Sequence, residues 1–241
     1  MLQEFEGIVI KRLPYNDNLF IAYIYTLQHG LLPFTIKKSN LSKSNVSAYL
    51  IPLGLVNGSM HYKPTSSFHA LRNISTEHYL FSIRENFDKR SIAQFFADFL
   101  YVIIKYPHPD KQLYEFVKEF IFLLETASPV QIANIHLFAL VKLTTILGFE
   151  PDHNYSPQHI YFDSQQGRFV SLKQKPYQFD WEISQLWHFF LNSTLQNFHT
   201  LPVSRELKNQ FIESILQFYS YHLGISIKLS SLDVLTAVYE Q

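Results

Sequence analysis

Along the first 75 or so residues, apolar and aromatic positions fall into short runs broken by polar turns, the pattern of β-strands. Gly7 to Lys11, Leu19 to Thr26, Leu31 to Lys38, Tyr49 to Tyr62 and Phe68 to Ile74 are rich in Ile, Val, Phe and Tyr. Pro14 to Asn18, Gln28-His29-Gly30 and the Ser/Asn-rich stretch Ser39 to Ser47 separate them. Short strands joined by small turns predict a small closed five-stranded β-barrel rather than a layered α/β domain. In the third run Leu32, Phe34 and Ile36 alternate with Leu31, Pro33, Thr35 and Lys37, which puts Lys37 on the wetter face. Lys38 opens the following loop, and Asn57-Gly58 marks a bulge or a hairpin turn.

From about Asp88 the period becomes helical. Leu113, Phe116, Val117, Phe120, Ile121 and Leu124 recur at i, i+3, i+4, i+7, i+8 and i+11, one buried helix face, with Asp110 at its N-terminus. Another helix runs from Ile92 to Tyr106 and stops at Pro107-His108-Pro109. Ser128-Pro129 and Gly148 bound a third. A fourth follows Ser204 and places Leu207, Phe211, Ile215, Phe218 and Tyr219 on one side. Between the last two lies a β-like insertion, Ile160 to Phe162 and Arg168 to Val170 around Ser164 to Gly167, then a helix near Trp181 to Leu191. The fold class is therefore α+β, with residues 1–80 forming a barrel domain. Residues 81–241 form a helical domain with a hairpin insertion at about 155–175.

The 241 residues contain 20 Lys+Arg, 20 Asp+Glu and no cysteine. Disulfides, thiol catalysis and thiolate metal sites are thereby excluded. Apolar runs such as Phe99 to Ile104 and Phe120 to Leu124 are far too short to span a bilayer. The first residues carry Glu4 and Glu6 where a signal peptide would be basic, so a cytoplasmic location is expected. The zero net charge conceals a split. Residues 1–75 hold seven bases (Lys11, Arg12, Lys37, Lys38, Lys43, Lys63, Arg72) and three acids (Glu4, Glu6, Asp17), or +4, leaving −4 for the rest. No Asp or Glu occurs from Asn18 to Thr76, a stretch that also holds His29, His61 and His69. Such a segment projects a positive potential whatever the total.

Catalytic patterns are missing: no glycine-rich phosphate loop, no G-x-S-x-G, no H-E-x-x-H and no tight carboxylate pair. Asp152-His153 with His159 and Asp163 offer metal donors, but at no recognised ligand spacing, and read as solvated loop residues. Tyr23 and Tyr25 alternate on the second strand near Lys37 and Lys38. They either stack bases, as in single-strand binders, or face the core.

The order of several short motifs resembles the RecO family of bacterial recombination mediators. Gly7-Ile8-Val9-Ile10 is followed by Asn18 to Tyr25 and Thr26-Leu27-Gln28-His29-Gly30, similar to the family's strand and T-x-x-H-G hairpin. Ile36-Lys37-Lys38-Ser39 stands where the family has a basic segment. Leu147-Gly148-Phe149-Glu150-Pro151 resembles its L-G-(aromatic)-x-P. His222-Leu223-Gly224 and Ser230 to Leu235 resemble its close. Many members bind zinc through four cysteines after the L-G-(aromatic)-x-P motif. Here Asp152 to Pro176 has none, so packing by Tyr161, Phe162, Phe169 and Val170 is expected to hold the insertion, with no metal or other cofactor.

The resemblance implies an N-terminal OB-fold and a helical domain, binding of single- and double-stranded DNA, and annealing of complementary strands. It also implies partnership with RecR, contact with the tail of single-stranded-DNA-binding protein, and help in loading RecA, close to the bacterial nucleoid. Lys37, Lys38 and Lys43 would contact phosphates, aided by Lys11, Arg12, Lys63 and Arg72. The alternatives are a protein-interaction adaptor that binds no nucleic acid, and a metal-dependent hydrolase using Asp152, His153 and His159.

Overall fold

The computed structural model describes residues 2–39, 46–104, 108–232 and 235. Two compact units divide the chain, Met1–Thr126 and Ala127–Gln241. In the first, β1 (Leu2–Pro14), β2 (Leu19–Thr26), β3 (Gly30–Lys37), β4 (Leu55–His61) and β5 (His69–Ser75) close into a barrel of order β1-β2-β3-β5-β4. All neighbours are antiparallel except β3 and β5, which pair in parallel through Phe34↔His69 and Thr35↔Ala70. Closure leaves no strand edge unpaired over its whole length. β1 achieves it by pairing its first half with β4 and its second half with β2. It outruns the Gly7 to Lys11 segment because Glu4, Glu6 and Arg12 interrupt its apolar signal.

The barrel core is built from Phe5, Val9, Ala22, Ile24, Leu32, Phe34, Ile36, Val56 and Met60. Leu32, Phe34 and Ile36 point inward and Lys37 outward, as their alternation predicts. The hairpin between β2 and β3 explains the Thr26 to Gly30 motif. Thr26, fully buried, donates its hydroxyl to the Gly30 carbonyl at 2.9 Å and accepts from the His29 amide at 3.1 Å. Gly30 has φ +69°, and a Cβ there would lie 2.5 Å from the His108 carbonyl oxygen, so only glycine fits.

The fourth predicted strand is shorter than expected. Val46–Tyr49 forms a single helical turn, α1, and the chain turns through Leu53 before β4 begins at Leu55. There the Leu53 amide donates to the Val9 carbonyl at 2.7 Å, and the Val9 amide to that of Gly54 at 2.8 Å. Asn57-Gly58 is neither turn nor bulge. It sits mid-strand, paired with Glu6 and Phe5 on one side and Ser75 and Ile74 on the other. The irregularity falls just after it, between Ser59 and Met60. A Cβ on Gly58 would come within 2.5 Å of the Phe5 ring, which stacks on Phe34 at 4.9 Å.

Three helices complete the first unit: α2 (Phe81–Glu85), α3 (Phe87–Ile103) and α4 (Lys111–Thr126). α3 begins before Ile92 because the Asn86 side chain caps it, accepting from the Lys89 amide at 2.9 Å. It ends at Ile103, and residues 105–107, part of the predicted stop, lie outside the described residues. On α4, Tyr114 rather than Phe116 joins the buried face, because its ring packs 6.2 Å from Tyr25 on β2. Phe96 and Phe120, 4.1 Å apart, join α3 to α4.

The second unit contains α5 (Pro129–Ile132), α6 (Ile135–Ile146), β6 (Tyr161–Asp163), β7 (Arg168–Val170), α7 (Trp181–Asn192) and α8 (Arg205–Leu223). The third predicted helix is thus two, α5 and α6. At the break, Asn134 donates its side-chain amide to the Leu201 carbonyl at 2.9 Å. Gly148 ends α6 with φ +79°, and Phe149 beyond it stacks on His222 at 5.7 Å. These motif residues build the unit's framework.

Candidate nucleic-acid interface

The predicted basic residues separate into a cluster and outliers. β1 and β2 pair Lys11 with Tyr23 and Arg12 with Ala22, and β2 and β3 pair Leu19 with Lys37. Ala22 faces the barrel core, so Arg12 and Phe20 lie on the inward-facing set of positions where the strands run out. Lys38 directly follows β3, and its amide donates to the Asn18 carbonyl at 2.9 Å. The half-buried Phe20 ring carries two cations: the Arg12 guanidinium lies 5.5 Å from its centroid and the Lys38 ammonium 5.2 Å. Each contact orients a cation while its charge stays directed at solvent. Lys37 projects from the outer face beside them and is exposed. Lys11 turns the other way, its ammonium 4.7 Å over the Tyr101 ring of α3.

Arg72 is exposed on β5. It and Lys37 each lie two residues beyond the Thr35↔Ala70 pair, so the parallel register brings both to one edge of the barrel. Lys63, also exposed, follows β4 in the loop before β5, and Lys43 lies outside the described residues.

Tyr23 and Tyr25 are not a stacking surface. Tyr23 packs edge-on against Tyr101 at 5.0 Å. Tyr25 is buried, and its hydroxyl donates to the Asp110 carbonyl at 3.2 Å. Burial first, and then Asp110, push the Tyr25 phenol up to about 12. The reading of these tyrosines as core is correct, because α3 and α4 cover that face of β2.

A pair that the sequence did not single out is exposed instead. Tyr15, in the loop between β1 and β2, lies 5.8 Å from Phe68 at the start of β5, with 57% and 40% of their surfaces exposed. The available signal was an aromatic residue inside a polar turn, Pro14-Tyr15-Asn16-Asp17-Asn18. Two histidines of the acid-free segment also gather: His29 stacks on Tyr62 at 3.9 Å, and Tyr62 on His69 at 5.5 Å. Burial lowers the pKa of both histidines, and for His69 the neighbouring His29 adds to the effect. Both shifts favour the neutral form of these two rings, so they add little to the positive field of the neighbouring lysines and arginines.

In the second unit, the four candidate metal donors do different jobs. Asp163 is fully buried, which corrects its reading as a solvated loop residue. One carboxylate oxygen accepts from the Gln165 and Gln166 amides at 3.0 and 2.9 Å, and the other from the Gln178 side chain at 2.7 Å. His153 pairs with Glu150 at 3.1 Å, His159 contacts the Ser156 hydroxyl at 3.2 Å, and Asp152 is exposed. Among the described residues no group of three or more His, Asp or Glu side chains could hold a metal ion. The donors present therefore do not fit a structural zinc. The hairpin rests on aromatic packing: buried Phe162 lies 5.2 Å from Phe169, 4.5 Å from Trp187 and 5.8 Å from Phe218. Of the four residues expected to hold it, Phe162 and Phe169 are buried, whereas Tyr161 and Val170 are half-buried.

A closed five-stranded barrel of this order is an OB-fold, here with a cation cluster on its rim. Among the described residues no helix is long and apolar enough to cross a membrane. The chain belongs to the RecO family, one of recombination and DNA repair proteins. The model described as Recombination protein O N terminal matches residues 1–79, and the one described as Recombination protein O C terminal matches residues 84–231. Similar curated proteins, each named DNA repair protein RecO, are bacterial. The chain is 28% identical over 246 residues to that of Azobacteroides pseudotrichonymphae, covering 100% of both chains. It is 28% identical over 244 residues to that of Bacteroides fragilis, again covering 100% of both. With that of Flavobacterium psychrophilum it is 24% identical over 236 residues, 97% of this chain and 98% of the relative.

Proposed function

We propose that this protein is a mediator of recombinational DNA repair with no catalytic chemistry of its own. Its barrel, residues 1–80, binds single- and double-stranded DNA and anneals complementary strands. The observation that carries the reading is the pair Arg12 and Lys38 on the Phe20 ring, with exposed Lys37 next to Lys38, in a barrel without acids from Asn18 to Thr76. Cations there hold phosphates by counterion release and read no sequence. Two strands that repel each other can share such a surface while base pairing selects the partner. Lys11, Lys43, Lys63 and Arg72 extend the contact. Family membership supports the rest of the role: with RecR, and through the tail of single-stranded-DNA-binding protein, it helps load RecA onto coated single strands in the bacterial cytoplasm. Residues 81–241 form the helical domain of this arrangement.

The test is fluorescence anisotropy with a labelled oligonucleotide, together with annealing of complementary strands, for the protein and its K37E/K38E variant. Binding and annealing by the parent, both weakened in the variant, are expected. Equal binding by both would overturn the site. No binding by the parent in the micromolar range at low salt would favour the protein-interaction adaptor.

A further inference from the structure

Among the described residues, Tyr15 and Phe68 are exposed aromatic side chains in contact with each other on the barrel. They come from two different loops. Tyr15 belongs to the β1–β2 loop, held in shape by the Asn16 side chain, which accepts from the Asn18 and Leu19 amides at 2.9 Å each. Phe68 ends the β4–β5 loop, which a Ser66 hydroxyl bond to its carbonyl and a Ser66 amide bond to the Lys63 carbonyl fold back. These two loops flank the oligonucleotide-binding face of OB-folds generally.

The flanking charge is positive. The Tyr15 amide donates to the Leu19 carbonyl at 3.0 Å, and Leu19 pairs with Lys37. Arg12 precedes Tyr15 by three residues, and Lys63 sits in the loop that delivers Phe68. Asp17, the single acid of the β1–β2 loop, is exposed. The rings thus join the Arg12–Lys37–Lys38 group to the loop of Lys63. Water-facing rings have no role in the core, and the charge around them suits a polyanion with open π-faces.

We infer that Tyr15 and Phe68 form a base-stacking platform that takes unpaired bases of a single strand, while the neighbouring cations hold its phosphates. The inference rests on the proposed DNA-binding reading and adds to it a preference for unpaired bases. Duplex bases are already stacked on one another and cannot occupy the platform. Stacking tolerates any base and does not change with salt, whereas phosphate contacts do.

The two contributions separate with an oligothymidylate and an abasic strand of the same length and charge. The full chain is expected to bind the oligothymidylate about tenfold or more tightly, from roughly 1–3 kcal/mol per stacked base. The Y15S/F68S variant should bind both strands alike, at the abasic affinity, with the salt slope of the parent. The Y15W variant, which keeps a stacking ring, should retain the preference. Equal binding of both strands by the parent overturns the platform and leaves the phosphate reading standing. A full preference in Y15S/F68S also overturns it. Failure to bind either strand overturns both readings.

Discussion

Removing the Phe162 ring tests whether aromatic packing alone secures the hairpin of the second unit. Phe162 is fully buried, in contact with Phe169, Trp187 and Phe218. Phe162→Ala takes about 100 Å² of ring surface out of contact, worth ~2.5 kcal/mol at about 25 cal/mol per Å². A residual cavity of roughly 80 Å³ adds ~2 kcal/mol at about 24 cal/mol per Å³. The sum, about 4–5 kcal/mol, falls in the usual range for a buried phenylalanine and is a large share of a domain's stability. For a unit of this size it lowers the melting temperature by roughly 15–20 °C. Thermal unfolding followed by near-ultraviolet circular dichroism, sensitive to the neighbouring Trp187, measures it. Phe162→Leu, which refills most of the volume, should lose less than half as much. A loss below about 1 kcal/mol for Phe162→Ala would refute the reasoning, because a true core position cannot be emptied that cheaply.

Three further outcomes follow from particular contacts. Gly58→Ala brings a methyl group to within 2.5 Å of the Phe5 ring and 2.9 Å of the Asn73 carbonyl oxygen, and chemical denaturation should show about 1–3 kcal/mol of lost stability. His136 is fully buried and its pKa falls to about 3, first by burial and then through Lys208. The unfolded state therefore binds the extra proton between about 6.5 and 3, so stability falls as pH drops through that window, by roughly 2 kcal/mol at pH 5. His136→Gln should flatten this slope in denaturation midpoints measured between pH 7 and 5. EDTA treatment should leave the melting temperature unchanged; a drop would show a metal supporting the hairpin after all.

Strand positions with plain alternation were legible in the sequence: β2 has its predicted bounds, and Leu32, Phe34 and Ile36 point inward. What escaped was set by partners distant along the chain. Gly58 resembles a turn glycine locally, but the Phe5 ring dictates it from the adjacent strand. Tyr114 displaces Phe116 from the buried face of α4 because Tyr25 lies opposite. The stretch from Tyr49 to Val56 is apolar throughout, and periodicity cannot tell a helical turn and a bend from a strand over so short a span. For the candidate site, the acid-free segment contains Lys37 and Lys38 but not Arg12, which reaches them from β1. The pairing of Arg12 with Lys38 across Phe20 could not be read, because it depends on register between three strands. Tyr15 and Phe68 meet only through loop geometry, 53 positions apart in the chain.

The salt dependence of single-strand affinity tests the central claim most directly. Log affinity is plotted against log salt for the parent and an R12A/K38A variant. The account predicts a steep negative slope for the parent. Every phosphate that the variant no longer neutralises should flatten the slope by about 0.7 and weaken binding at every salt concentration. A parent slope near zero, or an unchanged slope in the variant, would contradict the assignment of this barrel rim to nucleic acid.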